Sequence, residues 1–153
     1  MRIVIQRVLS ASVDIASRRK SAIEQGLMIL VGICNDDSDE DIDYLCQKVV
    51  KMRIFDDANG VMNLPITDVP DSGILVVSQF TLMASTKKGN RPSYIHASRP
   101  EFAVPMYEKF VARLQQLFGR EVQTGEFGAD MQVSLVNDGP VTIIMDSHLR
   151  EAF

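Results

Sequence analysis

Polar and apolar residues alternate at period two through residues 2–8 and again through 11–16, the pattern of half-buried strands. A polar turn at Ser17-Arg18-Arg19-Lys20 follows, then an apolar run over residues 27–33 that reads as a strand covered on both faces. This succession predicts a meander. The period then changes to 3.6: Ile42, Leu45, Cys46, Val49 and Met52 form one stripe of a helix capped by Ser38. Asp39, Glu40, Asp41 and Asp43 sit near its positive end, and Lys48, Lys51 and Arg53 near its negative end. Turn residues gather at 56–60, after which residues 73–82 read as a largely buried strand around Ile74-Leu75-Val76-Val77. A polar loop over 84–97 leads to a second helix, capped by Ser98 and ended by Gly119. Its inward face carries Ala103, Met106, Tyr107, Phe110, Leu114 and Leu117. Strands are predicted again at 121–126, 130–136 and 141–146.

These elements predict an α/β chain, β-rich, with two main helices in a single domain over residues 1–153. With 46% hydrophobic and 24% charged residues, a chain of this length buries enough surface to fold without disulfide or metal staples. The longest uninterrupted apolar run, residues 27–31, is far short of the about 20 residues a membrane helix needs, so no membrane span is expected. The start of the chain alternates like a strand and lacks the apolar stretch and cleavage site of a signal peptide. A cytoplasmic protein is therefore expected.

Only Cys34 and Cys46 are present, with no CxxC and no neighbouring histidine, so neither a disulfide framework nor a zinc cage is indicated, and no metal is expected. Cys46, on the helix stripe, reads as a small buried hydrophobe. Asp37-x-Asp39-x-Asp41 has the first three positions of a calcium loop, but Ile42 stands where that loop needs Gly and Lys48 where it needs Glu. The net charge of -4 is unevenly spread: residues 1–23 carry +4, 24–71 carry -8, 72–100 carry +4 and 101–153 carry -4. Two basic islands in an acidic chain exclude a broad nucleic-acid-coating surface yet allow a small anion patch. Lys87-Lys88-Gly89-Asn90-Arg91 is the candidate, weighed against a plain solvated loop. Walker loops, GxGxxG, HExxH and GxSxG are absent, and His96 and His148 read as solvent-exposed side chains instead of triad members.

Two segments place polar groups where a packed strand should end. In Ser78-Gln79-Phe80-Thr81-Leu82, an extended chain would put Gln79 and Thr81 on one face and Ser78, Phe80 and Leu82 on the other. The plainer reading is a strand running out of the core. Asn137-Asp138-Gly139-Pro140-Val141-Thr142 lies between two apolar strands and has the composition of a hairpin turn, complicated by Pro140, which removes a backbone donor.

Together these segments resemble the signature motifs of the D-aminoacyl-tRNA deacylase family. The likeness continues through Ile5-Gln6-Arg7-Val8, Ala11-Ser12-Val13, Arg53-Ile54-Phe55, Met62-Asn63-Leu64, Arg91-Pro92-Ser93 and Ala129-Asp130-Met131-Gln132-Val133, and fades only from about Asp146, beyond which no role is assigned. The resemblance implies mixed sheets in β/β/α layers and a cytoplasmic homodimer with active sites at the subunit interface. It implies hydrolysis of the ester joining a D-amino acid to the 3′-terminal adenosine of tRNA, some activity on glycyl-tRNA, and no cofactor. Carried over by matching position, Ser78, Gln79 and Leu82 bind substrate, catalysis centres on Phe80 and Thr81, and Met131, Gly139 and Pro140 shape the chiral pocket. Gly139-Pro140 is implied to be a cis peptide inserted into the neighbouring subunit's site, rejecting L-aminoacyl esters.

The missing acid-base pair suits that chemistry. An aminoacyl ester is already activated, and its ribose offers a neighbouring 2′-hydroxyl, so oriented backbone N–H groups near Phe80 and Thr81 would suffice. Thr81 as a nucleophile ranks lower because no base is visible to activate it. Lys87, Lys88 and Arg91 are the candidate phosphate contacts. Two alternatives stand beside this reading: an editing deacylase with a trans Gly-Pro bond that accepts L-alanyl-tRNA, and a non-catalytic nucleic-acid-binding module.

Overall fold

The computed structural model describes residues 1–152. The two predicted opening strands are one, β1 (Arg2–Ile15), which turns at Ala16 and Ser17, both at positive φ, into β2 (Arg18–Ile23). Residues 18–20 are therefore strand, and the turn lies just before them. β2 and β3 (Gly26–Gly32) lie end to end along the same side of β1, both antiparallel to it: Ala11 faces Ile23 and Val8 faces Gly26. The predicted meander is thus a long hairpin with an interrupted return strand.

Helix α1 (Asp39–Lys51) begins at Ser38 as expected. The Ser38 amide and hydroxyl both donate to the Asp41 carboxylate at 2.8 Å, so Asp41 serves the cap. Asp39 pairs outward with Lys109, and the three acids of the calcium-like run diverge. β4 (Arg53–Asp56) and β5 (Met62–Pro65) form a separate small hairpin. β6 (Gly73–Ser78) pairs parallel with β3.

Helix α2 (Pro100–Phe118) is capped by Arg99 and not by Ser98. Proline at the first helical position presets φ and needs no N–H partner. Ser98 is instead engaged with β3's exit, its amide and hydroxyl both donating to Ile33 O. Gly119 closes the helix in the left-handed region at φ 73°. β7 (Gln123–Thr124) pairs parallel with β6, and β8 (Gln132–Asp146) runs antiparallel along β1 from Asp14 to Arg2.

Strand alternation splits the interior into two cores on opposite faces of β3 and β6. Leu27, Ile29, Ile74 and Val76 join Ile3 and Ile5 in packing against Leu45, Cys46, Phe110 and Leu114 of the helices. Met28, Leu75 and Val77 face the other way, onto Val8, Ala11 and Val13 of β1 with Met131, Val133 and Leu135 packed alongside. This gives the large sheet and two helices expected of the β/β/α layering. No helix among the described residues is long and apolar enough to cross a membrane.

Candidate active site

β3 and β6 run parallel, so their carboxyl ends emerge together, the usual place for a crevice in such sheets. A cavity of about 310 Å³ opens there between Val31, Ile33, Val77 and Ser78 on one side and the Phe127–Met131 stretch on the other. The extended run expected through residue 82 stops at Ser78. Gln79 N donates to Val31 O at 2.7 Å, and Phe80–Met83 then winds into a 3-10 turn. Gly32 permits this: a Cβ there would lie 2.9 Å from Leu82 Cβ and 3.1 Å from Gln79 O, so the turn packs directly on glycine.

The turn changes what the motif presents. The expected common face of Gln79 and Thr81 survives as a hydrogen bond from Gln79 Nε2 to Thr81 Oγ1. Leu82 N donates to Gln79 O, but among the described residues the amides of Phe80 and Thr81 find no acceptor. Those two N–H groups are the first of a turn whose upstream carbonyls are already past. Phe80 is 56% exposed and stacks edge-on against Tyr94, with ring centroids 5.1 Å apart. Ser78, Gln79, Phe80 and Met131 line the cavity; Thr81 and Leu82 do not, and Leu82 O accepts from Arg2 Nη1.

Asp130 is the one carboxylate on the cavity wall, and no histidine lines it among the described residues. His96 is exposed on its loop. His148 is exposed, as expected, and its ring also bonds to Asp37 at 2.8 Å. Cys46 is buried, as its place on the stripe predicted, and burial pushes its thiol up to about 12, so it holds no reactive thiolate. Sequence reasoning missed Phe127 and Asp130 as wall residues. The segment 129–133 carried a signal, but only Met131 was read from it.

The second motif is not a hairpin. Residues on both sides of it pair with the same partner, Asn137 facing Val8 and Thr142 facing Gln6, so β8 continues in one direction while 138–141 loop out opposite Arg7. Asn137 Oδ1 accepts from Val141 N at 3.0 Å, and its Nδ2 donates to Thr142 Oγ1 at 3.0 Å, closing the excursion at its base. Arg7, 7% exposed, holds it from below: its guanidinium pairs with Asp138 at 3.2 Å and Asp56 at 3.6 Å, and donates to Ile54 O at 2.6 Å. The Gly139-Pro140 peptide is cis, and both residues are exposed. They do not line this chain's own cavity.

Lys87, Lys88 and Arg91 lie exposed on a loop pinched at its base by reciprocal Ser85 and Ser93 backbone bonds of 2.8 and 2.9 Å. Among the described residues none of the three forms an ion pair. The loop leaves the turn that carries Phe80, and Tyr94 near its far end stacks back on Phe80, so both ends of the loop meet at that turn.

An apolar crevice at the ends of two parallel strands, with polar strand-end residues, two amides without acceptors and one carboxylate on its wall, marks the site of a small α/β protein. The family model described as D-Tyr-tRNA(Tyr) deacylase matches residues 4–146, and the chain belongs to that family. The D-aminoacyl-tRNA deacylase of Flavobacterium johnsoniae is 60% identical over 151 residues, covering 99% of this chain and 100% of that one. A solved structure titled c-Myc DNA Unwinding Element Binding Protein superposes with a TM-score of 0.90 at 36% identity, covering 95% of this chain and 98% of the other. Another, titled as a probable eukaryotic D-amino acid tRNA deacylase, gives 0.81 at 16% identity over 94% and 97%, a likeness of fold.

Proposed function

We propose that this chain hydrolyses the ester of D-aminoacyl-tRNA, releasing the D-amino acid and tRNA. The observation that carries the reading is the pair of unengaged Phe80 and Thr81 amides beside a cavity that offers no histidine or thiol. The ester carbonyl is placed at those amides, about 3 Å from the developing oxyanion, and the substrate's 2′-hydroxyl assists water. Ser78, Gln79 and Leu82 hold the adenosine and ester.

Stereochemistry then follows from fixed main-chain atoms. With amino group and carbonyl held, the α-substituent of a D-residue points to open space and that of an L-residue strikes a wall. Gly139 and Pro140 supply that wall from a second copy of the chain, with Met131 beside it. This explains why they stand exposed, away from their own cavity, and makes the working enzyme a homodimer. Glycyl-tRNA, with no substituent to clash, reacts to some degree.

The test is a time course on D- and L-tyrosyl-tRNA. The D-ester is expected to be cleaved at least about 100-fold faster, equivalent to about 2.7 kcal/mol of steric exclusion. Equal rates would overturn the proposal. Thr81→Ala removes the hydroxyl that accepts from Gln79 and the γ-methyl beside it but no backbone donor, so kcat is expected to stay within about tenfold of the wild type. Loss of all turnover in folded protein would instead assign Thr81 as nucleophile. A non-catalytic nucleic-acid module, favoured by the name of the 36% identical structural relative, predicts no turnover on either ester.

Lys87, Lys88 and Arg91 are assigned to phosphates near the tRNA end. Reversing Lys87 and Lys88 to glutamate is expected to raise KM several-fold and leave the D/L ratio unchanged. The log–log salt slope of binding should be about -1.5 to -3, as for two to four phosphates.

A further inference from the structure

Three side chains that the deacylase reading does not use converge where β3 ends and the residues after β8 return. Cys34 and Asp37 follow β3, and His148 follows β8. Cys34 Sγ lies 3.2 Å from Asp37 Oδ1 and 3.7 Å from His148 Nε2, and His148 Nε2 lies 2.8 Å from the same Asp37 oxygen. We propose that Cys34, Asp37 and His148 form a binding site for a divalent zinc-like cation, with a fourth position open to solvent through the partly exposed imidazole.

The donor set is thiolate, imidazole and carboxylate, the mixture that selects zinc over magnesium or calcium. Ordinary zinc–ligand lengths at tetrahedral angles place donor atoms about 3.3–3.6 Å apart. The observed separations of 2.8, 3.2 and 3.7 Å bracket that range, so small side-chain rotations seat an ion. A second observation points the same way. Asp37 Oδ1 is also met by the Met1 amino group, which puts three donors on one oxygen that has two lone pairs. If His148 carries its proton on Nδ1 instead, its Nε2 lone pair faces a carboxylate. A cation held by the three groups would replace the Cys34 and His148 protons at that oxygen and share it with the Met1 ammonium, whose ion pair with Asp37 is fully buried.

The outer contacts hold the ligands in place. Asp37 is buried, and its other oxygen accepts from the Cys34 amide at 2.8 Å; the His148 amide donates to Asp146 Oδ1 at 3.0 Å. Spacing in the sequence does not advertise the site, because 114 positions separate Cys34 from His148.

The test uses the full chain without an N-terminal tag. Titration with Co²⁺ is expected to give a thiolate-to-cobalt charge-transfer band saturating at one ion per chain, which Zn²⁺ then removes. Zinc in excess should raise the Tm by about 5 °C, because an ion bound only by the folded state stabilises it. Cys34→Ser should abolish the band, and His148→Gln, at a partly exposed position, should weaken Zn²⁺ binding at least tenfold while leaving the metal-free Tm near the wild type. Absence of the band, its survival in Cys34→Ser, or unchanged Zn²⁺ affinity in His148→Gln would overturn the proposal and leave an ion-paired cluster only.

Discussion

Gly139→Ala is expected to lower kcat/KM for D-tyrosyl-tRNA about 100-fold while the protein stays folded. The backbone at Gly139 has φ 119°, a conformation that L side chains rarely adopt. A Cβ added there would lie 3.0 Å from Val141 Cγ2 and 3.1 Å from Arg7 Nη2. Neither neighbour yields easily: Val141 is tied to Asn137 by its amide, and Arg7 is held by Asp138, Asp56 and Ile54 O. The excursion must shift as a unit, and an ångström is enough to misplace a steric wall. The thermodynamic cost is local, about 1–2 kcal/mol, so a melt, a gel-filtration profile and single-turnover kinetics on the same sample separate misplacement from unfolding. A variant with wild-type turnover and an undiminished D/L ratio would remove Gly139 from the chiral wall.

Gly26→Ala should act on stability, with a loss of about 3 kcal/mol and a Tm lowered by about 10 °C. Gly26 opens β3 directly opposite Gly73, which opens β6, and a Cβ on Gly26 would fall 1.8 Å from Gly73 O. Backbone cannot move aside as a flexible side chain does. The Gly73 amide is already bonded to Gln25 O at 2.9 Å, so relieving the clash separates the two parallel strands at their start. Chemical denaturation of the variant measures the loss, and an unchanged midpoint would mean that the strands tolerate the separation. Because the site lies at the opposite ends of these strands, residual folded enzyme should keep its D/L preference.

Much of this architecture was legible from residue pattern. The stripe Ile42, Leu45, Cys46, Val49 and the Ser38 cap placed α1, and Ala103 through Leu114 with Gly119 placed α2, because local period and end chemistry are both written in adjacent residues. Ile74 to Val77 placed β6 for the same reason. What failed were features set by partners distant in sequence. Residues 137–142 have the composition of a turn, yet both flanks pair with β1, and strand pairing decided against a reversal. Ser98 has the chemistry of a cap, but Ile33 O claimed it and Pro100 began the helix without it. Ser78 to Leu82 alternate like a strand, yet the bare backbone of Gly32 let the chain turn after Ser78.

The site divides along the same line. Its motif residues were readable because family resemblance is carried by short runs of identity, and Ser78, Gln79, Phe80 and Met131 do share one cavity. Phe127 and Asp130 joined that wall only because β7 pairs beside β6 and brings the following segment over the strand ends. By itself the sequence determined the periodicities, the Ser38 start of the first helix, the Gly119 stop of the second and the family to which the chain belongs. Tertiary structure alone decided which amides were left without acceptors, how Arg7 grips residue 138, and that Cys34 and His148 meet. Those are relations between groups far apart along the chain, and no local pattern encodes a distance that only folding brings about.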